Sequence, residues 1–153
     1  MTKVVVAVDG SAHSKRALDK ALELFTGPDA KITLLHVRDQ YTARDRDHST
    51  DHMIDRKEES ERLSIRLMDE MLADLDEDQR ARIDEQSQYR KLEKIKDIDD
   101  IADTILKFAE NDNADVIVIG SQGINAGKLK TVFVGSVAKS LLNSCCLPIL
   151  VVK

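Results

Sequence analysis

The amino-acid sequence predicts an α/β fold: a five-stranded, mostly parallel open sheet with helices on both faces. Two observations favour this fold. Short β-branched runs alternate along the chain with segments of helical period, the pattern of strands joined by crossover helices. The run Val116–Ile119 is apolar at every position, which is typical of a central parallel strand buried on both faces. The length of 153 residues suits a single domain, residues 1–153.

The first part of the chain predicts one βαβ unit. Lys3–Val8 is a β-branched run that ends at the turn and cap signals Asp9-Gly10-Ser11. A second strand is expected over Lys31–Val37, and a right-handed helical crossover should join the two strands. The predicted helix carries its apolar residues on one face, at Ala17, Leu18, Ala21, Leu22 and Phe25.

The middle of the chain is the least regular part. Asp39–Asp55 is polar and has no period, so we expect residues 39–55 to form a long mobile loop. A helical stripe of leucines and methionines then runs from Leu63 to Leu75, and Asp76–Asp84 is charged and turn-like. Glu85–Ile95 contains few large apolar residues, and we interpret it as a polar edge strand because sheet edges tolerate charge.

The last part of the chain predicts a helix, the central strand, a further helix and a final strand. Asp97 is a suitable N-cap for the first helix, which ends at Asn111-Asp112-Asn113. The central strand covers Asp115–Ile119, and a glycine-rich loop leads to a helix that begins near Val137. The chain closes with the short apolar strand Ile149–Val152.

The composition excludes several classes of function. A net charge of −5 and a pI near 5.4 argue against nucleic-acid binding, because proteins that bind nucleic acid carry basic faces. No apolar run approaches the roughly 18 residues that span a membrane. The apolar run that begins at Val4 is too short for a signal peptide. We therefore expect a cytoplasmic protein that binds neither nucleic acid nor membrane.

Glycines lie on both sides of the loop that follows the central strand. Gly120-Ser121-Gln122-Gly123 comes directly after the strand, and Gly135-Ser136 precedes the last helix. Glycines let the backbone approach an anion closely, and a helix N-terminus presents free N–H groups. Asp9, Val37 and Gly120 also lie at or just beyond strand ends, where open α/β sheets bind ligands. These positions predict a phosphate cradle, with a purely structural turn and a helix-capping Asp9 as the alternatives.

Two better-known phosphate motifs are absent. Gly123–Lys128 looks like a Walker A loop, but it has three residues between its glycines where the motif requires four. Leu129 also stands where a Ser or Thr would hold Mg²⁺. The dinucleotide pattern G-x-G-x-x-G does not occur at the strand ends. We therefore expect neither a P-loop enzyme nor a Rossmann dehydrogenase.

Nothing in the sequence predicts a catalytic or metal centre. His13 lies with Asp9 and a serine on one turn, without a separate group to orient it, so we reject a catalytic triad. His48 and His52 lie in the polar segment without helical period, which favours a solvated loop over a metal site. Because no catalytic base is paired with a nucleophile, any hydrolysis of a bound nucleotide should be slow or absent.

Several stretches carry a resemblance to a known family. They are Val4–Ser11 at the start, Ala114–Ser121 in the middle, and Val134–Ala138 with Cys146–Val152 at the end. Together they resemble the universal stress protein family over nearly the whole chain. The resemblance implies a fold of the adenine nucleotide alpha hydrolase type, with strand order 3-2-1-4-5.

The resemblance extends to the family's ATP-binding branch. That branch is marked by a Gly, two residues, a Gly, nine residues and then Gly-Ser or Gly-Thr. Gly120, Gly123 and Gly135-Ser136 match, but eleven residues, Ile124–Val134, stand where the pattern has nine. The extra two residues fall in the loop that should cover the phosphates.

The resemblance implies that the chain binds ATP or a related adenine nucleotide, with Mg²⁺ on its phosphates. Asp9 would contact the adenosine or help hold the metal ion, and Val37 would meet adenine through its backbone. The turn after the central strand would wrap the ribose and phosphates, and the start of the last helix would cap the phosphate tail. The implied site residues are Ala7, Val8, Asp9, Val37, Ile119, Gly120, Gln122, Gly123, Gly135, Ser136 and Val137.

The C-terminal strand Ile149–Val152 predicts an assembly. It is apolar and expected at a sheet edge, and unprotected edges pair with other strands. In the family that the chain resembles, this strand pairs antiparallel with its twofold mate, which implies a homodimer. Our leading hypothesis is a cytoplasmic stress-response sensor or switch that binds ATP with little or no hydrolysis. The alternative is a dimeric protein-interaction module of the same fold that binds no nucleotide.

Overall fold

A computed structural model describes residues 1–38, 50–84, 88–91, 98–123 and 134–153 of the chain, with the backbone alone for residues 38, 50–60, 88–91 and 98–100. Strands and helices alternate along most of this chain, as the hydrophobic pattern predicts. In order they are β1 Thr2–Ala7, α1 Ala12–Leu24, β2 Ala30–Arg38, α2 Thr50–Ala73, α3 Glu77–Ala81, β3 Gln88–Lys91, α4 Ile98–Asn111, β4 Val116–Gly120, α5 Ser136–Ser144 and β5 Ile149–Val152.

The five strands form one sheet in the order β3-β2-β1-β4-β5. Every neighbouring pair is parallel, so the predicted fold class and strand order are confirmed. β1 lies at the centre, and its Val6 is in register with Leu34 of β2 on one side and Val118 of β4 on the other. The chain moves outward from β1 in one direction through β2 and β3, and in the other through β4 and β5. The strand order therefore reverses between β1 and β4.

Side chains of the central strands alternate between two cores, one on each face of the sheet. Val4, Val6 and Val8 belong to the core that includes Leu18 of α1 and Met68 of α2. The other core is formed by Val5, Ala7, Leu35, Ile117 and Ile119 with Ala102, Ile105 and Phe108 of α4 and Ala138 and Leu141 of α5. Helices thus cover both faces, which explains why β1 and β4 are apolar at every buried position.

The structure corrects the expected bounds of two segments. α2 begins at Thr50, so residues 50–55 are helical rather than part of the predicted loop, and residues 39–49 lie outside the described part. The turn-like segment Asp76–Asp84 contains the short helix α3. Asp76 starts it with a capping box, in which the Gln79 N–H donates to Asp76 Oδ1 at 2.7 Å and the Asp76 N–H donates to Gln79 Oε1 at 3.1 Å.

The predicted polar edge strand is present but short. β3 covers Gln88–Lys91, within the predicted span Glu85–Ile95, and pairs only with β2 among the described strands. The remaining helices agree with the sequence pattern, although Asp97, the predicted cap of α4, is outside the described residues. No helix in the described part of the chain is long and apolar enough to cross a bilayer.

Candidate functional site

The candidate site lies at the carboxyl ends of β1 and β4, where the strand order reverses. In open parallel sheets a crevice forms at this point, because the connections leave the two neighbouring strands toward opposite faces. Asp9 follows β1, and the turn Ser121-Gln122-Gly123 follows β4. The start of α5 is attached to the same turn, since the Gly135 N–H donates to Ser121 O at 2.5 Å. Three separate stretches of the predicted site therefore meet here.

The turn after β1 fixes the carboxylate of Asp9. Its Oδ1 accepts a hydrogen bond from the Ser11 N–H at 2.9 Å, and Gly10 between them has a φ of +80°, which favours glycine. The N-cap of α1 is Ser11, whose Oγ accepts from the Ser14 N–H at 3.1 Å. Asp9 is therefore not the helix cap, and the alternative that we considered from the sequence is wrong.

Asp9 faces the turn that follows β4. A Cβ atom placed on Gly123 would lie 2.9 Å from Asp9 Oδ2, closer than side chains ordinarily approach. The Asp9 carboxylate therefore lies close beside the Gly123 backbone, although the two residues are more than a hundred positions apart in the chain. Asp9 is half-buried and Gly123 is exposed, so a ligand can reach both.

The N-terminus of α5 opens onto the same turn. Gly135 is the N-cap and makes no side-chain capping bond. Its own N–H is bonded to Ser121 O, so this amide is not available to an anion. The next amides, those of Ser136 and Val137, have no acceptor within the helix, because the first turn has no preceding carbonyls. They carry the partial positive charge of the helix N-terminus, and Ser136 is exposed.

Gly120 has a packing role that the sequence did not reveal. A Cβ atom at this position would lie 2.7 Å from the backbone carbonyl carbon of His13 and 2.9 Å from its oxygen. The first turn of α1 therefore packs directly against the backbone of β4, and only glycine permits this approach. Gly135 is also close-packed, since its Cβ would lie 3.2 Å from Ser121 O.

Three of the predicted site residues are core residues. Ala7, Val8 and Ile119 are 7%, 3% and 8% exposed, with their side chains packed into the two cores. They can therefore meet a ligand only through their backbone. Val37 and Gln122 are half-buried at the carboxyl ends of β2 and β4.

His36 is a residue that sequence reasoning did not assign to the site. The pattern suggests only a packed strand histidine, but its Nδ1 lies 2.8 Å from Val8 O at the point where β1 ends. Because a carbonyl oxygen only accepts hydrogen bonds, Nδ1 must carry the proton. The sequence signal was its position immediately before Val37 at a strand end.

The described residues contain no group of three or more His, Cys, Asp or Glu side chains that could hold a metal ion. A magnesium ion that arrived with a nucleotide would take its ligands from phosphate oxygens and water, with Asp9 as a suitable carboxylate beside them. Asp9 is thus the oxygen ligand that this turn could offer to a hard cation.

Comparisons with known proteins agree with the fold. The Stress response protein NhaX of Bacillus subtilis is 29% identical over 170 residues, covering 99% of this chain and 97% of that protein. Universal stress protein YxiE of the same organism is 27% identical over 157 residues, covering 99% and 98%.

Solved structures of universal stress proteins also share this fold. Universal stress protein UspA from Lactobacillus plantarum superposes with a TM-score of 0.68 at 19% identity, covering 99% of this chain and 97% of that one. The universal stress protein from Archaeoglobus fulgidus in complex with dAMP has a TM-score of 0.56 at 21% identity, covering 100% and 98%. A universal stress protein in complex with cAMP has the same score and identity, covering 99% and 96%. The model of the Universal stress protein family matches residues 1–153, and the chain therefore belongs to this family.

Proposed function

We propose that this protein binds ATP, or a related adenine nucleotide, and serves as a sensor or switch in a stress response with little or no hydrolysis. The observation that carries the proposal is the meeting of Asp9, Gly123 and the start of α5 in one crevice. A Cβ on Gly123 would lie 2.9 Å from the Asp9 carboxylate. In the same turn, Ser121 O accepts a hydrogen bond from the Gly135 N–H at 2.5 Å.

The charges of this crevice favour a phosphate chain with a divalent cation. The amides of Ser136 and Val137 attract an anion, whereas the nearby carboxylate of Asp9 repels one. A magnesium ion between the carboxylate and the phosphates would remove that repulsion. The site is thus better matched to a magnesium-nucleotide complex than to inorganic phosphate.

The relatives support an adenine nucleotide as the ligand class. Two structures of the same fold were solved with dAMP and with cAMP, which share the adenine base but differ in their phosphates. Val37 at the end of β2 is available to meet the base through its backbone, as the family resemblance implies. The preference for ATP over a monophosphate remains part of the proposal, and it rests on the uncapped start of α5.

The bonding of the Ser14 hydroxyl supports slow or absent hydrolysis. The Ser14 hydroxyl donates a hydrogen bond to Ser11 O at 3.0 Å and accepts one from the Asp9 N–H at 3.3 Å. The Ser14 side chain is also buried. It is therefore not an accessible nucleophile. A route through a covalent intermediate, which requires an activated side-chain nucleophile, is therefore closed to this serine.

The Gly123→Val variant tests the nucleotide site. Its side chain would occupy the space between the turn and the Asp9 carboxylate, and we expect magnesium-ATP affinity to fall at least tenfold. Equilibrium binding by calorimetry gives the measurement. Gly27→Ala is the matched control, because a Cβ at Gly27 meets nothing within 4 Å. Wild-type protein that binds no ATP up to about millimolar concentration, a free energy near −4 kcal/mol, would refute the proposal.

The alternative function is a dimeric interaction module without a nucleotide, and one observation favours it. Two of the site glycines have packing reasons of their own, since Gly120 contacts His13 and Gly135 contacts the turn at Ser121. Glycines at these positions therefore do not by themselves require a ligand. The calorimetric titration separates the two functions. If the protein is an interaction module, neither wild type nor Gly123→Val should show a heat of binding with magnesium-ATP.

A homodimer through β5 is also proposed. β5 pairs only with β4 among the described strands, and its four apolar residues are all half-buried. Within the described residues its outer edge is unpaired, which favours pairing with a second copy of the strand.

A further inference from the structure

The parallel ladder of backbone hydrogen bonds between β1 and β2 ends at the Val8 N–H, one bond before a regular ladder would end. The Val8 N–H donates to Leu35 O at 2.9 Å, which continues the parallel register that pairs Ala7 with Leu35. In a regular parallel ladder the next bond would run from the Val37 N–H to Val8 O. Within the described residues that bond is not formed, and Val8 O instead accepts from the protonated Nδ1 of His36 at 2.8 Å.

The Val8 carbonyl thus bonds to the side chain of His36 rather than to the backbone N–H of Val37. Because N–H groups alternate in direction along a strand, the Val37 N–H faces β1, on the same side as the Leu35 carbonyl that accepts from Val8. Val37 is half-buried at the carboxyl end of β2. Its amide is therefore left without a ladder acceptor beside the crevice in which the proposed nucleotide would lie.

We propose that His36 is a positioning residue for base selection. By holding the Val8 carbonyl, it keeps the Val37 N–H available for an unprotonated ring nitrogen of the base, such as N1 of adenine. A base that lacks an acceptor at this position would leave the amide unpaired and would bind less tightly. This inference rests on the proposed nucleotide binding and assigns one determinant of its specificity.

Three substitutions of His36 differ in whether they keep a hydrogen-bond donor at the position of Nδ1. The amide nitrogen of asparagine occupies nearly the same position as Nδ1 of histidine, so His36→Asn should keep the bond to Val8 O. Glutamine places its amide one carbon farther from the backbone, and leucine has no donor. In His36→Gln and His36→Leu we expect the Val37 N–H to bond to Val8 O and complete the ladder.

Titration with magnesium-ATP and with 1-deaza-ATP, which lacks the N1 acceptor, tests the inference. Wild type should prefer ATP by about two- to tenfold, the effect of one hydrogen bond. His36→Asn should retain this preference, and His36→Gln and His36→Leu should lose it. Thr33→Val is the control, because it alters a buried hydroxyl on β2 away from the crevice and should retain the preference. If the His36 side chain has only a structural effect, its loss should weaken the binding of both nucleotides equally, and that result would overturn the inference. Equal preferences for ATP in the Asn and Gln variants would also overturn it.

Amide hydrogen exchange without nucleotide gives an independent readout. The Val37 N–H should exchange rapidly in wild type and in His36→Asn, and about tenfold more slowly in His36→Gln, where it gains an acceptor. Exchange at Val37 that is the same in the Asn and Gln variants would overturn the inference even if ATP binds. Absence of ATP binding, with the exchange pattern as expected, would instead refute the proposed function on which the inference rests.

Discussion

At the scale of single residues, the site glycines differ in what they contact. Gly120 faces backbone atoms of His13, which cannot move without shifting the start of α1. Gly123 faces the carboxylate of Asp9, which is the end of a side chain and not backbone. A substitution at Gly120 should therefore act on stability, and one at Gly123 should act on the proposed nucleotide site.

Gly120→Ala tests this distinction. Its Cβ would lie 2.7 Å from the His13 carbonyl carbon, and relief of that contact requires a shift of α1 against β4. We expect a loss of about 1–3 kcal/mol in the free energy of unfolding, measured by urea denaturation. Gly27→Ala, in open space, should change the same quantity by less than about 0.5 kcal/mol. Equal stabilities for the two variants would contradict the close packing of α1 on β4.

At the scale of secondary-structure elements, β5 presents a regular hydrogen-bonding edge. The Ile117 N–H donates to Pro148 O at 3.0 Å and the Ser121 N–H to Val152 O at 2.6 Å, so alternate residues of this segment face β4. The polar backbone groups of Ile149 and Val151, which lie between them, point to the outer edge. The same strand thus supports the tertiary sheet with one side and can accept a partner strand with the other.

Val151→Pro tests the proposed dimer. Proline removes an N–H that faces the outer edge and leaves the bonds to β4 in place. We expect the particle mass, measured by light scattering after size exclusion, to change from that of a dimer to that of a monomer of 17.1 kDa. Val151→Thr retains the amide and a similar shape, and it should stay dimeric. A wild-type protein that is already monomeric would exclude the strand-paired dimer.

At the scale of the whole molecule, the site joins elements that are distant in sequence. Asp9 follows β1, Gly123 follows β4, and the start of α5 is bonded back to the β4 turn. A ligand that contacts all three should stabilise the folded state as a whole, because unfolding separates them.

Thermal unfolding measures this coupling. At about 100 times its dissociation constant, magnesium-ATP should add about 2.7 kcal/mol and raise the Tm by roughly 5–10 °C for a chain of this size. Removal of the metal with EDTA should abolish most of the shift, since the Asp9 carboxylate then faces uncompensated phosphates. A shift of the same size with and without magnesium would contradict the shared ion at Asp9.

Much of the fold follows from local patterns that need no tertiary information. The doubly buried strands are apolar throughout and the helices carry one apolar face, so the alternation of strands and helices and the parallel class follow from the sequence. The start of α2 at Thr50 and the helix α3 were not predicted. Polar helical segments lack the apolar period on which prediction depends, and the capping box of α3 resembles a turn.

The sequence by itself determined the fold class, the strand-end positions of Asp9 and Gly120, and the family resemblance that the comparisons confirm. Only the tertiary structure decided that Asp9 lies beside Gly123, that Gly120 serves helix packing, and that His36 bonds to Val8 O. The reason is physical. Periodicity records which face of an element is buried, whereas these contacts depend on how closely separate elements approach one another, which no local pattern encodes.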